Sequence, residues 1–304
     1  MEGSAMLRIL LVLLLVLAAF WVASASYGRR RWRQQTRDLR ARLAAAAHPV
    51  QPSVVDFREL EALPAPVQRY FRTVLTDAQP LIAAARVRHR GHFNMSETGA
   101  GWRPFRSDQL VITQRPGFDW NARVAALPGV PARAHDAYVA GEGLLEVSLL
   151  GLVPVARLRG GGELAAGELV RFFAEAACYP TALLPSQGVR WEARDDRSAL
   201  ATLEDGGLSV QLLFRFDARG MIERVCAESR ARLLDGRKVP TPWEGRFGDY
   251  ARRDGMWVPL VGEAAWRLPD GPHPYWRGRI TRIDYRFADS AVPRAFLEQQ
   301  RHSR

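Results

Sequence analysis

From Ile9 to Ser26 the chain reads ILLVLLLVLAAFWVASAS, without a single charge. At ~1.5 Å rise per residue this run approaches the thickness of a bilayer's hydrocarbon layer, so it predicts one membrane-spanning helix. Trp21 and Tyr27 fall where interfacial aromatics belong. Arg8 ahead of the run and Ala23-Ser24-Ala25 at its end also fit a cleaved signal peptide, whereas the arginines that follow favour retention. The stretch QQTRDLRARLAAAAH continues as a short helix until Pro49 and Pro52 break it, which puts a linker at about 44–56. In ELEALPAPVQRYFRTVL, the residues Val67, Tyr70, Phe71, Val74 and Leu75 recur at helical spacing behind Pro64 and Pro66, predicting an amphipathic helix.

Beyond that helix the period drops to two. Val87, His89, Gly91, Phe93 and Met95 alternate with Arg86, Arg88, Arg90, His92 and Asn94; the pattern returns at Phe118, Trp120, Ala122 and Val124, and at Leu208, Val210, Leu212, Phe214 and Phe216. Each stretch predicts a half-buried strand. Turn signals separate them: Asp205-Gly206-Gly207, Asp217-Ala218-Arg219-Gly220, Asp235-Gly236-Arg237, Arg253-Asp254-Gly255 and Pro269-Asp270-Gly271-Pro272. Tight turns between consecutive strands mean an antiparallel meander, of four strands over about 85–147 and six over about 189–287, roughly ten in all. The strong helical signal inside this region is GELAAGELVRFFAEAACYP, with Leu169, Val170, Phe173, Ala176 and Ala177 as its apolar stripe.

The predicted fold is therefore mainly β (α+β): an N-terminal transmembrane helix, then a wide curved antiparallel sheet, a half-barrel or open barrel, with one or two covering helices. Its parts are an anchor at 1–28, a basic juxtamembrane helix and linker at 29–56, a β domain at 57–290 containing the helix 163–178, and a tail at 291–304. A helix laid across a curved sheet encloses a groove suited to apolar ligands.

Charge changes the picture in one place. The chain carries a net +11, but residues 28–43 hold seven arginines against Asp38, a local +6. A basic block abutting an apolar span is a topology signal that places the following domain in the cytoplasm, and Arg29, Arg30, Arg31 and Arg33 can contact anionic headgroups. Nucleic acid is not an expected partner, because the aromatic-plus-basic motifs of RNA-binding sheets are missing. Cys178 and Cys226 have no metal or redox spacing and read as core thiols, with a single bridge as the other possibility.

Candidate chemistry is sparse. On the long helix Glu168, Arg171 and Glu175 fall close to one line, either as a polar site or as a solvated face with intrahelical ion pairs. A second concentration gathers Trp243, Trp257, Trp266 and Trp276 with Glu263 and Arg277. Strand alternation puts Met256, Val258, Leu260, Ala264 and Trp266 on one face and Trp257, Val261 and Glu263 on the other. Glu263 reads as the ion-pair partner of an arginine such as Arg277, and the tryptophans as core or as a ligand wall. His89 and His92 point to opposite faces, against a metal site, and no cofactor motif occurs; Gly160-Gly161-Gly162 reads as a hinge.

The segments LPAPVQRYFRTVL, WRPFRSDQ, PGFDWNARV, DAYVAGEGLLEVSLLGLVP, GELVRFFAEAACYPTALLP and PWEGRFGDYARRDGMWVPLVGEAAWRL with PYWRG resemble a family of bacterial membrane-associated proteins of unknown function, over most of 60–287. The expected architecture is also similar to the lipoprotein-carrier and lipoprotein-receptor half-barrels of the bacterial envelope. That likeness implies a periplasmic domain on the inner membrane, the opposite side from the arginine count. Three functions follow as expectations: a membrane-tethered module binding an apolar or lipid-like molecule, an envelope hydrolase using the Glu and Arg groups, or a non-catalytic scaffold for a protein partner. The first is the leading expectation, a binding protein more than an enzyme.

Overall fold

The computed structural model describes residues 2–96, 99, 101–234 and 237–288. Asp235, Gly236 and the tail 291–304 lie outside them. Thirteen strands form one antiparallel sheet: β1 (Ile82–Asn94), β2 (Trp102–Ile112), β3 (Gly117–Leu127), β4 (Val130–Val139), β5 (Glu142–Leu149), β6 (Val153–Gly160), β7 (Arg190–Asp195), β8 (Ser198–Asp205), β9 (Leu208–Phe216), β10 (Ile222–Leu234), β11 (Arg237–Arg253), β12 (Met256–Leu268) and β13 (Gly271–Phe287). They run in the order β6-β5-β4-β3-β2-β1-β13-β12-β11-β10-β9-β8-β7, so two meanders join where the first strand pairs with the last. The sheet is open.

Thirteen strands exceed the roughly ten expected. The main omission is β6, an edge strand with Pro154 inside it and Val153 and Val155 exposed, where neither alternation nor ladder propensity gives a signal. Register shifts interrupt the pairing of β1 with β13 at Arg88/His89, of β10 with β11 at Ala227/Arg230 and of β12 with β13 at Ala264/Ala265. Each adds a local bend, and a sheet this wide curls. The last shift leaves Tyr275 as an extra residue, so Tyr275 and Trp276 both reach the concave side. β12 itself keeps unbroken register with β11, and Val261 and Glu263 border the cavity as well as Ala264 and Trp266.

Three helices dress the sheet. α1 (Glu2–Ala46) is continuous through the basic segment, and its N-terminal part is long and apolar enough to cross a membrane, with Ile9 to Leu17 exposed. Its C-terminal half lies on the convex face, burying Trp32, Thr36, Leu39, Arg40 and Leu43 against β2, β3 and β4. α2 (Ala65–Val74) packs on β8 and β12. α3 (Gly162–Glu175) crosses the concave face between β5 and β9, shorter than expected because 3₁₀ turns take over from Ala176. The cysteines are unbridged.

The two ends of the sheet differ. At one, Gly28 of α1 packs so closely on the β5–β6 turn that a Cβ there would lie 2.2 Å from the Leu150 carbonyl oxygen. The connections after β1, β3, β5, β10 and β12 all fall at this anchor end. At the distal end His48 N–H donates to the Gln114 carbonyl at 2.8 Å, and α2 meets the β9–β10 turn at Gly220.

Candidate functional site

Curvature leaves a cavity of about 1000 Å³ between α3 and the anchor end of the sheet. Its walls are Val87 and Phe93 of β1, Trp120 and Val124 of β3, Ala132 and Ala134 of β4, Leu145 and Val147 of β5, Ala156 and Leu158 of β6, and Trp243, Trp266, Tyr275 and Trp276 of β11–β13. Small side chains on β4 and β6 create the space. At the distal end the same concave face is packed solid by Phe172, Phe173, Phe214 and Tyr70. The rim is formed by Met95, Ser96, Gly99, Trp102, Pro272 and His273, all at the anchor end.

Leu164, Gly167, Glu168, Arg171, Ala174 and Glu175 turn one face of α3 to the cavity, while Leu169, Val170 and Phe173 enter the core behind it. The charged line is thus not a solvated face: Glu168 is 6% exposed and the Arg171 side chain 14%. Arg171 binds Asp136 of β4 and Glu175 (2.8 Å) and lies over the rings of Phe118 and Trp120, 5.0 and 4.9 Å from their centroids. Glu175 also accepts from Gln109 Nε2 at 2.6 Å. Burial works against its charge, but Arg171 and Gln109 hold the Glu175 carboxyl below the ordinary range. Arg230 and Arg171 also favour the charged form of Glu168, but there they are outweighed. Burial first, and then the Asp136 carboxylate, push its carboxyl well above the usual glutamate value, so the site favours its protonated form. Burial also lowers His89 to about 4 and keeps it neutral. With Arg171 and Arg230 set against Asp136, Glu168 and Glu175, the floor of the cavity is polar and its charges are opposed at close range.

Three buried polar atoms around it have no hydrogen-bond partner: Trp120 Nε1, Trp276 Nε1 and Glu168 Oε2. All belong to residues lining the cavity. Elsewhere the aromatic wall is internally satisfied: Trp243 Nε1 donates to Tyr275 Oη at 2.9 Å, Arg230 lies over the Trp243 ring at 5.5 Å, and Trp266 stacks on Tyr275 at 5.5 Å.

Of the residues singled out from sequence, the cavity gathers Glu168, Arg171, Glu175, Trp243, Glu263, Trp266, Trp276 and Arg277. Trp257 is not among them; it lies toward the distal end of β12 beneath Arg252, 5.9 Å from its ring. Glu263 and Arg277 pair at 2.7 Å on the rim, where Arg277 also covers Trp102. Sequence reasoning passed over Asp136, Trp120, Arg230 and Tyr275. Asp136 and Trp120 sit opposite each other in the β3–β4 register, a placement that only strand pairing reveals. Among the described residues no group of His, Cys, Asp or Glu is arranged to hold a metal.

Solved structures similar to this chain include a LolA superfamily protein from Nitrosomonas europaea, 13% identical over 74% of this chain and 94% of that one, with a TM-score of 0.40. A DUF1329 family protein from Desulfovibrio piger is 11% identical over 72% and 90%, at 0.31. A β-barrel-like DUF1849 protein from Brucella abortus is 12% identical over 68% and 99%, at 0.21. No curated protein matches the sequence. Residues 61–285, nearly the whole β domain, match DUF6920, and the chain belongs to this family of unknown function.

Proposed function

We propose that this protein is a membrane-tethered binding module that holds a hydrophobic, lipid-like molecule in the trough of its sheet. The observation that carries this reading is the cavity: large, walled by aliphatic and aromatic side chains, and open at the end where the apolar helix leaves the domain. The unpaired indole N–H groups of Trp120 and Trp276 supply donors and the unpartnered Glu168 Oε2 lies beside them, so the preferred ligand carries an uncharged oxygen-bearing group on an apolar body. α1 anchors the module in the bacterial inner membrane, and Arg29, Arg30, Arg31 and Arg33, all exposed, face anionic headgroups beside it.

The test compares the full-length chain with Ala156→Trp, which fills the cavity from the tolerant edge strand. Organic extraction of each purified protein followed by mass spectrometry should recover a defined apolar species from the first and far less from the second. Equal recovery from both would sink the cavity as the binding site. A second reading, a hydrolase acting on an envelope component, draws on one feature: the Glu168 carboxyl, raised above the usual glutamate range, beside the carboxylate of Asp136, a pair of the kind that divides acid and base roles. In that case Glu168→Gln removes turnover and leaves ligand retention intact.

A further inference from the structure

The convex face carries a row of arginines in register across five adjacent strands: Arg279 opposite Arg90, Arg90 opposite Arg106, Arg106 opposite Arg123, and Arg123 opposite Arg133. Like charges directly across a ladder repel. Arg279 is neutralised by Asp249 at 2.5 Å, but among the described residues no carboxylate pairs with Arg90, Arg106, Arg123 or Arg133. α1 adds to the crowding. Burial, and then the charges of Arg123, Arg29 and Arg33, lower the Arg133 guanidinium to about 10, and its Nε is buried without a partner. Arg90, Arg106 and Arg123 are exposed, so the row presents concentrated positive charge to whatever anionic group lies against it.

The height of the row says what that is. α1 runs along the strands, so the row lies across α1 and level with Arg29 and Arg33, which follow Ser26 by three to seven residues, or ~4–11 Å along the helix. The headgroup layer spans roughly 5–7 Å beyond the hydrocarbon on each side. The β3–β4 turn reaches lower still: a Cβ on Gly129 would lie 3.8 Å from Trp21, inside the apolar run. Beside that turn Leu127 is 58% exposed, and Val153 after the next turn is 59% exposed, apolar side chains with no protein to cover them. If α1 spans a membrane, these turns cannot stand clear of it.

We propose that the domain sits on the bilayer that anchors it, with the turns around Leu127 and Val153 in the interfacial layer and the arginine row Arg90, Arg106, Arg123 and Arg133 bound to the phosphates of anionic phospholipids. The seat turns the rim of the cavity toward the headgroups, so an apolar ligand passes between membrane and trough without crossing water. This rests on the anchor of the proposed function and is independent of the cavity's cargo.

The experiment uses the full-length chain reconstituted in vesicles of phosphatidylcholine alone and in vesicles of equal parts phosphatidylcholine and phosphatidylglycerol. Flotation and amide hydrogen exchange are read on the same samples. The expected result is several-fold slower exchange at 126–131 and 149–154 in the anionic vesicles. Arg106→Glu with Arg123→Glu abolishes that protection, and Arg215→Glu, an exposed arginine on β9 away from the row, leaves it. Exchange that is the same in the two vesicle types, or indifferent to the double reversal, overturns the seat while the chain still floats. A chain that fails to float removes the anchor, and the seat with it.

Discussion

Arg171 and Glu168 stand one turn apart on α3 and respond to the cavity in opposite ways. Arg171 keeps its charge because Asp136 and Glu175 surround it and two aromatic faces cover it. Glu168 is pushed toward its protonated form, by burial first and then by the Asp136 carboxylate, against the pull of Arg230 and Arg171. Removing Arg171 as Arg171→Met strands two partly buried carboxylates, and a loss of roughly 3–5 kcal/mol is expected in urea denaturation. Glu168→Gln removes a carboxyl whose charged form the site disfavours and should cost about 1 kcal/mol or less. If the two variants are equally destabilised, Glu168 is ionised in the folded chain. The sequence placed both residues on one helical line and left open what that line faces. Helical spacing reports which side chains share a face; burial of that face is decided by β4, more than thirty residues earlier in the chain.

At the scale of elements, α1 shows how far an apolar and basic pattern can be read. Its half that is long and apolar enough to cross a membrane is plain from hydropathy, but the basic half looks like a solvated juxtamembrane segment. In the structure Arg40 is 2% exposed, bonded to Asp119 at 2.7 Å and to Asp108 at 2.8 Å, and His135 completes the group by binding Asp119 and Thr36. A cue existed: Arg40 follows Trp32, Thr36 and Leu39 on the stripe that continues to Leu43, a docking face in which one charged residue needs a buried acid. The arginines on the remaining sides, such as Arg30 and Arg37, are exposed as a basic surface should be. Arg40→Leu takes the guanidinium from buried Asp119 and leaves it with His135 as its remaining side-chain partner, and is expected to cost roughly 3–5 kcal/mol and to speed amide exchange through residues 30–46. Adding Asp119→Asn should recover part of the loss. No recovery in the double variant would mean that the guanidinium acts through packing instead of charge.

For the whole molecule, alternation and turn chemistry made the antiparallel meander and its helix cover legible, since each strand with one apolar face announces itself. A groove under the covering helix was expected, but its extent and lining were not legible, because a cavity is the absence of side chains between elements distant in sequence, and its trace is only small residues such as Ala132, Ala134 and Ala156 on concave positions. The way the assembled trough handles protons gives a test of the complete fold. His89, half-buried in the wall beside Ser107 and Trp276 and facing Glu175, Arg171 and Asp108, has a folded pKa of about 4, below the ~6.5 of an unfolded histidine. Between those values the unfolded chain binds a proton that the folded chain excludes. Stability is therefore full above about pH 6.5 and declines as pH falls toward about 4. Asp119 adds a second loss further down: His135 and Arg40 outweigh its burial and hold its carboxyl below the ordinary range, so its contribution is present above ~3.9 and disappears as pH drops through the folded value. Urea midpoints measured from pH 8 to pH 3 should show both phases. His89→Gln should flatten the upper one and leave the lower, Asp119→Asn the reverse; a wild-type profile flat between pH 7 and pH 4.5 would mean that water reaches His89 and that the trough is wetter than its walls imply.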